Sequence, residues 1–310
     1  MTIATAVGLG AGWLADQALG DPARYHPVAG FGRIATALEQ RIYADDRRSG
    51  MLFTVVLVGG AAGLGWLARR PCRDRPVARA LVTAGATWAV LGGRSLAREA
   101  EIISEALEAG DLAAARARLP HLVSRDPSAL DADQIARATL ESVAENTSDA
   151  VVAPLFWGAV AGVPGLLAYR AINTLDAMVG YRNPRYRNFG WASARLDDLA
   201  NWLPARLAGE LATRLAPLVG GRPEDAARAV AEQAPAHPSP NGGVVEAAFA
   251  GALGVRLGGT NVYDGVSEDR GELGSGPAPT PSDLARGVRL AQAVGVGSLL
   301  VAIAIAVGRR

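Results

Sequence analysis

The 310-residue chain has no lysine: all 31 of its basic residues are arginine. That absence excludes a P-loop lysine and a Schiff-base lysine. Any bound phosphate must be held by arginine forks, backbone amides or a metal ion. A single cysteine, Cys72, excludes an intrachain disulfide and a multi-cysteine metal site. Three widely spaced histidines argue against a His-based zinc centre. Net charge is only +1, so nothing global points to nucleic acid, and no nucleic-acid partner is expected. The first apolar segment, Thr2–Leu19, lacks a basic n-region and a small-residue cleavage site and carries Asp16. It reads as a retained first span rather than a signal peptide.

What the chain does have is clustered apolar sequence. Half of its residues are hydrophobic and its mean hydropathy is +0.16. Met51–Ala68 and Leu290–Gly308 carry no charge at all, and about 18 to 20 such residues cross a bilayer core. Thr2–Leu19, Val77–Gly93 and Val151–Tyr169 are weaker candidate spans. Trp13, Trp66, Trp88 and Trp157 fall within these segments, several near an end, as interfacial anchors do. The expected architecture is all-α: one multi-pass helical membrane domain over residues 1–310. A polar helical lobe occupies about 94–149, and polar helices and loops about 173–285. Helices are expected at Leu96–Ala109, Asp111–Leu119, Asp131–Asp149, Asp197–Leu218 and Arg222–Gln233, with a loop at Gly271–Pro281. The orientation signals conflict. Arg69–Arg75 holds four arginines and Asp21–Arg48 holds five. The positive-inside rule assigns both to the cytoplasm, although the expected spans place them on opposite sides.

Five motifs carry chemistry. Glu141, Glu145 and Asp149 recur every four residues and are expected to form one carboxylate stripe on a helix. Such a stripe is unfavourable unless a hard cation or arginines neutralise it; a solvated face is the plainer alternative. Asn173, Asp176 and Gly180 share a helical face, with Gly180 a candidate C-cap before Tyr181 and Arg182. Asp197, Asp198 and Asn201, flanked by Arg195 and Arg206, have the pattern of a metal–phosphate site or of a surface ion-pair network. Gly20-Asp21-Pro22 to His26-Pro27-Val28 is a stiffened turn presenting Asp21 and His26. Ser239, Asn241 and the two following glycines allow backbone to approach an anion. Glu246 is expected in the first turn of the helix that follows.

Together and in this order, GDPxxxHPV (Gly20–Val28), ESxAENxxD (Glu141–Asp149), NTLDxMxGYR (Asn173–Arg182), ARxDDxxNxxPAR (Ala194–Arg206) and SPN…EA…GALGVRLGG (Ser239–Gly259) closely resemble the CobD/CbiB family of cobalamin-biosynthesis proteins, over about residues 6–305. The resemblance implies an adenosylcobinamide-phosphate synthase, a carbon–nitrogen ligase of the cell (inner) membrane with its active site on the cytoplasmic side. It would join adenosylcobyric acid to aminopropanol or its phosphate, with ATP as co-substrate and Mg2+. The implied partners are this corrinoid, the amine, the lipid bilayer and other membrane-associated late-pathway enzymes. The implied catalytic residues are Asp21, His26, Glu141, Glu145 and Asp176. Substrate and phosphate would be held by Asn173, Arg182, Arg195, Arg206, Ser239 and Asn241, and metal by Glu145, Asp149, Asp197, Asp198 and Asn201. One departure is Val244-Val245, where the family carries Trp-Pro. The competing readings are an intramembrane Mg-dependent prenyltransferase, suggested by Asp197-Asp198-x-x-Asn201, and a membrane sensor or transporter.

Overall fold

The computed structural model describes residues 3–22, 26–123, 126–181, 183–263 and 266–308. Its helices are α1 (Ile3–Leu19), α2 (Pro27–Ile42), α3 (Arg47–Arg69), α4 (Pro76–Val90), α5 (Gly93–Glu108), α6 (Leu112–Arg118), α7 (Ala132–Thr147), α8 (Ala153–Ala161), α9 (Val163–Val179), α10 (Trp191–Leu215), α11 (Pro223–Glu232), α12 (Gly242–Leu253) and α13 (Pro281–Gly308). The expected all-α class holds, with one addition. An antiparallel hairpin of β1 (Leu257–Tyr263) and β2 (Val266–Leu273) follows α12. The helix expected to run on to Gly259 stops earlier, because Gly254 takes a left-handed conformation (φ 69°) at its end. The chain divides into two compact units. Unit 1 comprises Met1–Gly92, Asp149–Asn201 and Leu299–Arg310; unit 2 comprises Gly93–Ser148 and Trp202–Ser298.

Two helices are long and apolar enough to cross a membrane, the run Arg47–Cys72 and Pro281–Gly308. In the first, only 22% of the apolar stretch is buried within the protein. Val55, Leu64 and Leu67 on it are exposed, as side chains that face lipid would be. The weaker candidates come out shorter. Val151–Tyr169 is not one continuous helix. A π-helical turn at Ser148–Val152 leads into α8, and Gly162 (φ 70°, ψ −150°) breaks the chain before α9 begins with Pro164 in its first turn.

Unit 1 is held together by close helix approach. α1 lies parallel to α4. A Cβ added to Gly8 would fall 2.5 Å from Thr83 Cβ, and one added to Gly12 would fall 2.5 Å from both Ala84 O and Thr87 Cβ. Gly65 of α3 likewise meets Pro164 at the start of α9. Small residues substitute for a water-driven core where both helices face lipid, since close backbone approach gains dispersion contacts. An apolar layer of Leu9, Leu91, Leu155, Leu166 and Ala302 fills the centre of this unit. A second cluster of Phe53, Leu57, Leu175, Val179 and Phe189 packs α3 on α9. In unit 2, α7 starts with a capping box, Asp131 and Gln134 exchanging backbone hydrogen bonds. α7 packs on α5, α12 and β1.

The packing predicts a selective response to size. Gly12→Leu should destabilise the protein by about 1–3 kcal/mol through overpacking, read as a lower Tm in detergent. A Cβ added at Gly10 on the same helix meets no atom within 4 Å, and Gly10→Leu should not lower Tm. Equal effects at both positions would mean that α1 is not held by this contact.

Candidate active site

Polar groups gather separately in each unit. In unit 1 the sequence folds so that α9 and the first turns of α10 present one network. Asn201 Nδ2 donates to Asp197 Oδ2 at 3.0 Å, and Tyr169 Oη lies 2.8 Å from Asn201 Oδ1 and 3.1 Å from the Asp149 carbonyl. Asn173 Nδ2 reaches Asp149 Oδ2 at 3.4 Å. The Trp157 indole donates to Ala200 O at 3.0 Å and fixes this stretch of α10. Asp176 closes the group from α9. It sits so tightly against the helix end that a Cβ at Gly180 would fall 2.0 Å from its Oδ1. Gly180 does cap α9 as expected, though in a right-handed conformation (φ −72°). Its glycine identity is explained by this carboxylate rather than by backbone freedom.

Asp197 is pushed up to about 7 from an ordinary 3.8, first by burial and then by the neighbouring Asp176 charge. Its Oδ1 is buried and accepts no hydrogen bond. Asp198, one residue on, is 39% exposed and paired with Arg195 at 3.6 Å. The adjacent aspartates therefore face different surroundings: Asp197 belongs to the buried network and Asp198 to a surface pair.

The turn after α1 supplies the other end of the network. Gly20 (φ 62°) turns the chain and its carbonyl accepts from Trp88 Nε1 at 3.1 Å. His26 caps α2, its Nδ1 accepting from Val28 N at 3.2 Å, and its Nε2 lies 3.4 Å from Asp21 Oδ1. His26 thus orients Asp21, and its acceptor nitrogen is already engaged. Arg170, one turn before Asn173, sits in the field of both Asp21 and Asp149 and reaches Asn173 Oδ1 at 3.5 Å. Sequence reasoning missed Arg170 and Tyr169, because they lie in what reads as the end of an apolar span. The available signal was their spacing: Tyr169 and Asn173 are four apart on α9, as are Asn173 and Arg170 three apart.

Unit 2 holds the remaining candidates. Glu141 is 3% exposed, accepts from Gly258 N at 2.9 Å and lies 3.8 Å from Arg137. Glu145 Oε1 faces Gly242. The expected continuous stripe is not formed: the α-helical repeat ends at Thr147, and Asp149 is carried by the π turn, in unit 1. A π turn adds a residue to the ring and shifts the phase of whatever follows. Ser239 Oγ accepts from Gly242 N at 3.0 Å, so it caps α12. Asn241 Oδ1 accepts from Arg206 Nη1 at 3.2 Å, and the Arg206 guanidinium stacks 4.4 Å from the Trp202 ring centroid. Glu246 lies beyond the first turn of α12, not within it. It is fully buried between Arg270 (3.3 Å) and His237 (3.6 Å). Burial, then Arg270, pushes His237 down to about 4, so it is neutral at pH 7. Val245 is fully buried in the core, and Val244 is partly buried, packed so that a Cβ on Gly209 would meet its Cγ1 at 2.9 Å. Arg182 lies outside the described residues.

Among the described residues no three His, Cys, Asp or Glu side chains group closely enough to enclose a metal ion by themselves. The unit 1 network nevertheless fits Mg2+. That ion keeps several waters and takes one or two carboxylates plus substrate phosphate oxygens. A buried, unbonded Asp197 Oδ1 beside Asp176 is such a partial donor set.

A helical bundle with two helices long and apolar enough to cross a membrane, and with a buried acid–amide network, is consistent with a helical membrane protein. The comparisons make the class specific. The model of the CobD/Cbib protein family matches residues 9–291. "Cobalamin biosynthesis protein CobD" of Mycobacterium tuberculosis is 53% identical over 306 residues, covering 98% of this chain and 97% of that protein. Proteins of the same name from Chromobacterium violaceum (46% over 282 residues, 89% of each chain) and Rhodobacter capsulatus (43% over 301 residues, 94% of each) are also similar. No solved structure matches. The chain belongs to the CobD/CbiB family.

The Asp197 environment predicts a pH signature. Its folded-state value lies above its ordinary 3.8, so between about 4 and about 7 the folded chain holds a proton that the unfolded chain has lost. This group's contribution therefore falls as pH rises through that window and is constant above it. In metal-free buffer, the Tm of Asp197→Asn minus that of wild type should grow from pH 4 to pH 7 and then level. Parallel curves would show that Asp197 titrates normally.

Proposed function

We propose that this chain acts in cobalamin biosynthesis as an ATP- and Mg2+-dependent ligase, joining a propionate carboxylate of adenosylcobyric acid to the amine of aminopropanol or its phosphate. Family membership supports the pathway, and the buried Asp176–Asp197 pair with its unbonded oxygen is the observation that carries the chemistry. Membership of a cobalamin-biosynthesis family favours this reading over a prenyltransferase and over a sensor or transporter.

A carboxylate is a poor acyl donor. The corrinoid carboxylate attacks the γ-phosphorus of ATP, ADP leaves, and an acyl phosphate results. The amine then attacks the acyl carbon, phosphate leaves, and the ammonium proton passes to a base. Mg2+, when bound, supplies charge neutralisation for the phosphate oxygens. Asp176 and Asp197 would hold it, with Asp149 and Asn201 completing the polar surround. Arg170, missed from sequence, offsets anionic charge from within the same network, and Arg195 does so from its rim. Asp21, oriented by His26, is placed to receive the proton. In unit 2, Arg206 with Asn241 offers a further anion contact, and Ser239 fixes the backbone of that turn.

ATP requires the acid network to face the cytoplasm, and the arginine distribution supports that side. In unit 1 the chain directions place Asp21, Gly92 and Asp176 at one end of the bundle and Thr5, Arg73 and Val163 at the other. Among the described residues the acid end carries Arg33, Arg41, Arg47, Arg48, Arg185, Arg187 and Arg195, against Arg69, Arg70, Arg73, Arg75 and Arg79 at the other. By count, the positive-inside rule favours the acid end facing the cytosol.

Purified protein given adenosylcobyric acid, aminopropanol phosphate, ATP and Mg2+ should yield a corrinoid amide and ADP in equal amounts. Asp197→Asn and Asp176→Asn should each lower kcat by about 100-fold or more while leaving membrane insertion intact. Asp198→Asn, at the exposed ion pair, should lose much less. Amide formation that needs no ATP, or near-wild-type turnover in Asp197→Asn, would overturn this reading.

A further inference from the structure

At the end of unit 1 away from the acids lies a cavity of about 560 Å³. Arg69, Arg70, Arg73 and Arg79 line it together with Trp66. Asp74, the acid of the same loop, is not part of its wall. Four arginines on one cavity wall make its surface cationic, which favours an anion in the space between them. The backbone adds to this field. The cavity wall includes Gly162 and Val163, where α9 begins with no side-chain cap, and α4 starts just beyond the arginine loop, also without one. Two helix N-termini therefore bring their positive ends to the same region as the arginines. Gly65 makes the arrangement possible, since any side chain there would strike Pro164 or the Val163 carbonyl and push α3 off the start of α9.

The surroundings say what kind of anion fits. Trp66 is half exposed beside the cavity, and the Arg70 guanidinium stacks over its ring at 5.3 Å from the centroid. Leu64, Leu67, Val77 and Leu81 stand exposed on the flanking turns of α3 and α4. A cationic cavity opening beside exposed aliphatic side chains, with an indole at the boundary, matches a ligand that joins a phosphate to long hydrocarbon tails. We propose that this cavity binds the phosphate headgroup of an anionic phospholipid, with its acyl chains lying along α3 and α4. The site is separate from the acid network and has no part in the chemistry. Its role is to fix the depth and rotation of unit 1 in the bilayer, on the face opposite the reaction.

The test uses the full-length protein in nanodiscs made from an equimolar mixture of phosphatidylglycerol and phosphatidylcholine, then released for native mass spectrometry. Retained lipid should be enriched in phosphatidylglycerol by roughly five- to ten-fold, and phosphatidylglycerol should raise Tm relative to phosphatidylcholine alone. Arg73→Gln with Arg79→Gln should abolish both effects. If that double variant fails to accumulate, Arg73→Gln alone, a change at an exposed side chain, carries the same comparison and should at least halve the enrichment. Inorganic phosphate at millimolar concentration in phosphatidylcholine discs should not raise Tm. Equal retention of the two lipids, an enrichment unchanged by the variants, or a Tm rise from inorganic phosphate equal to that from phosphatidylglycerol would each overturn the assignment, the last in favour of a soluble anion. Ligase activity is not the readout, so loss of the lipid preference and loss of the proposed reaction are separate outcomes.

Discussion

Holding one carboxylate away from water beside a second is the constraint on which unit 1 depends. An ionised group in that position is costly unless it is protonated, hydrogen-bonded or bound to a cation. The structure meets the cost in part. Asn201 satisfies one oxygen of Asp197, Tyr169 fixes Asn201, and Asn173 ties α9 to Asp149. The remaining oxygen of Asp197 is left without a hydrogen bond. That leftover buried carboxylate oxygen is the observation on which the proposed cation site rests. The features around it place these groups: glycine at 180 to admit Asp176, the indole of Trp157 to pin the start of α10, and a π turn to aim Asp149.

The frame that holds these acids in register is built by subtraction. Gly8 and Gly12 let α1 lie against α4, Gly65 lets α3 reach the start of α9, and Gly50 accommodates the Phe189 carbonyl. Where side chains are present on outer faces they are aliphatic and exposed, as on α3 and α4. The bundle is also polarised along its axis. Acids, amides and Arg170 occupy one end, and four arginines with two helix N-termini occupy the other. Both ends are basic, but only one carries the acid–amide network.

Much of this was legible in the sequence, and the limits have physical reasons. Uncharged runs at Met51–Ala68 and Leu290–Gly308 located the two membrane-length helices, because composition alone decides that question. The ordered motifs identified the family. What sequence spacing misjudged was phase. Glu141, Glu145 and Asp149 are evenly spaced in number, but the π turn breaks the helical repeat before Asp149. Asp197 and Asp198 are neighbours in sequence yet occupy opposite environments, because adjacent helical positions point about 100° apart. The hairpin was missed because Gly258, Gly259 and Gly271 obscure strand alternation, and its partner strand is rich in charge. Arg170 and Tyr169 were hidden by an apolar neighbourhood in which polar side chains are read as anchors rather than as site residues. Val244-Val245 looked like the loss of an aromatic platform, and in the structure Val245 is buried in the core while the partly buried Val244 packs against Gly209.

The reaction proposed above makes one chemical requirement central: a carboxylate would be activated by phosphate transfer beside the Asp176–Asp197 pair before an amine displaces the phosphate. The most direct measurement follows oxygen. Adenosylcobyric acid labelled with 18O in the reacting carboxylate is turned over with ATP, and the released inorganic phosphate is examined by mass spectrometry. The account predicts that each amide formed sends one labelled oxygen into phosphate. Amide formed with unlabelled phosphate would contradict it, because the carboxylate would then have been activated by some route other than an acyl phosphate.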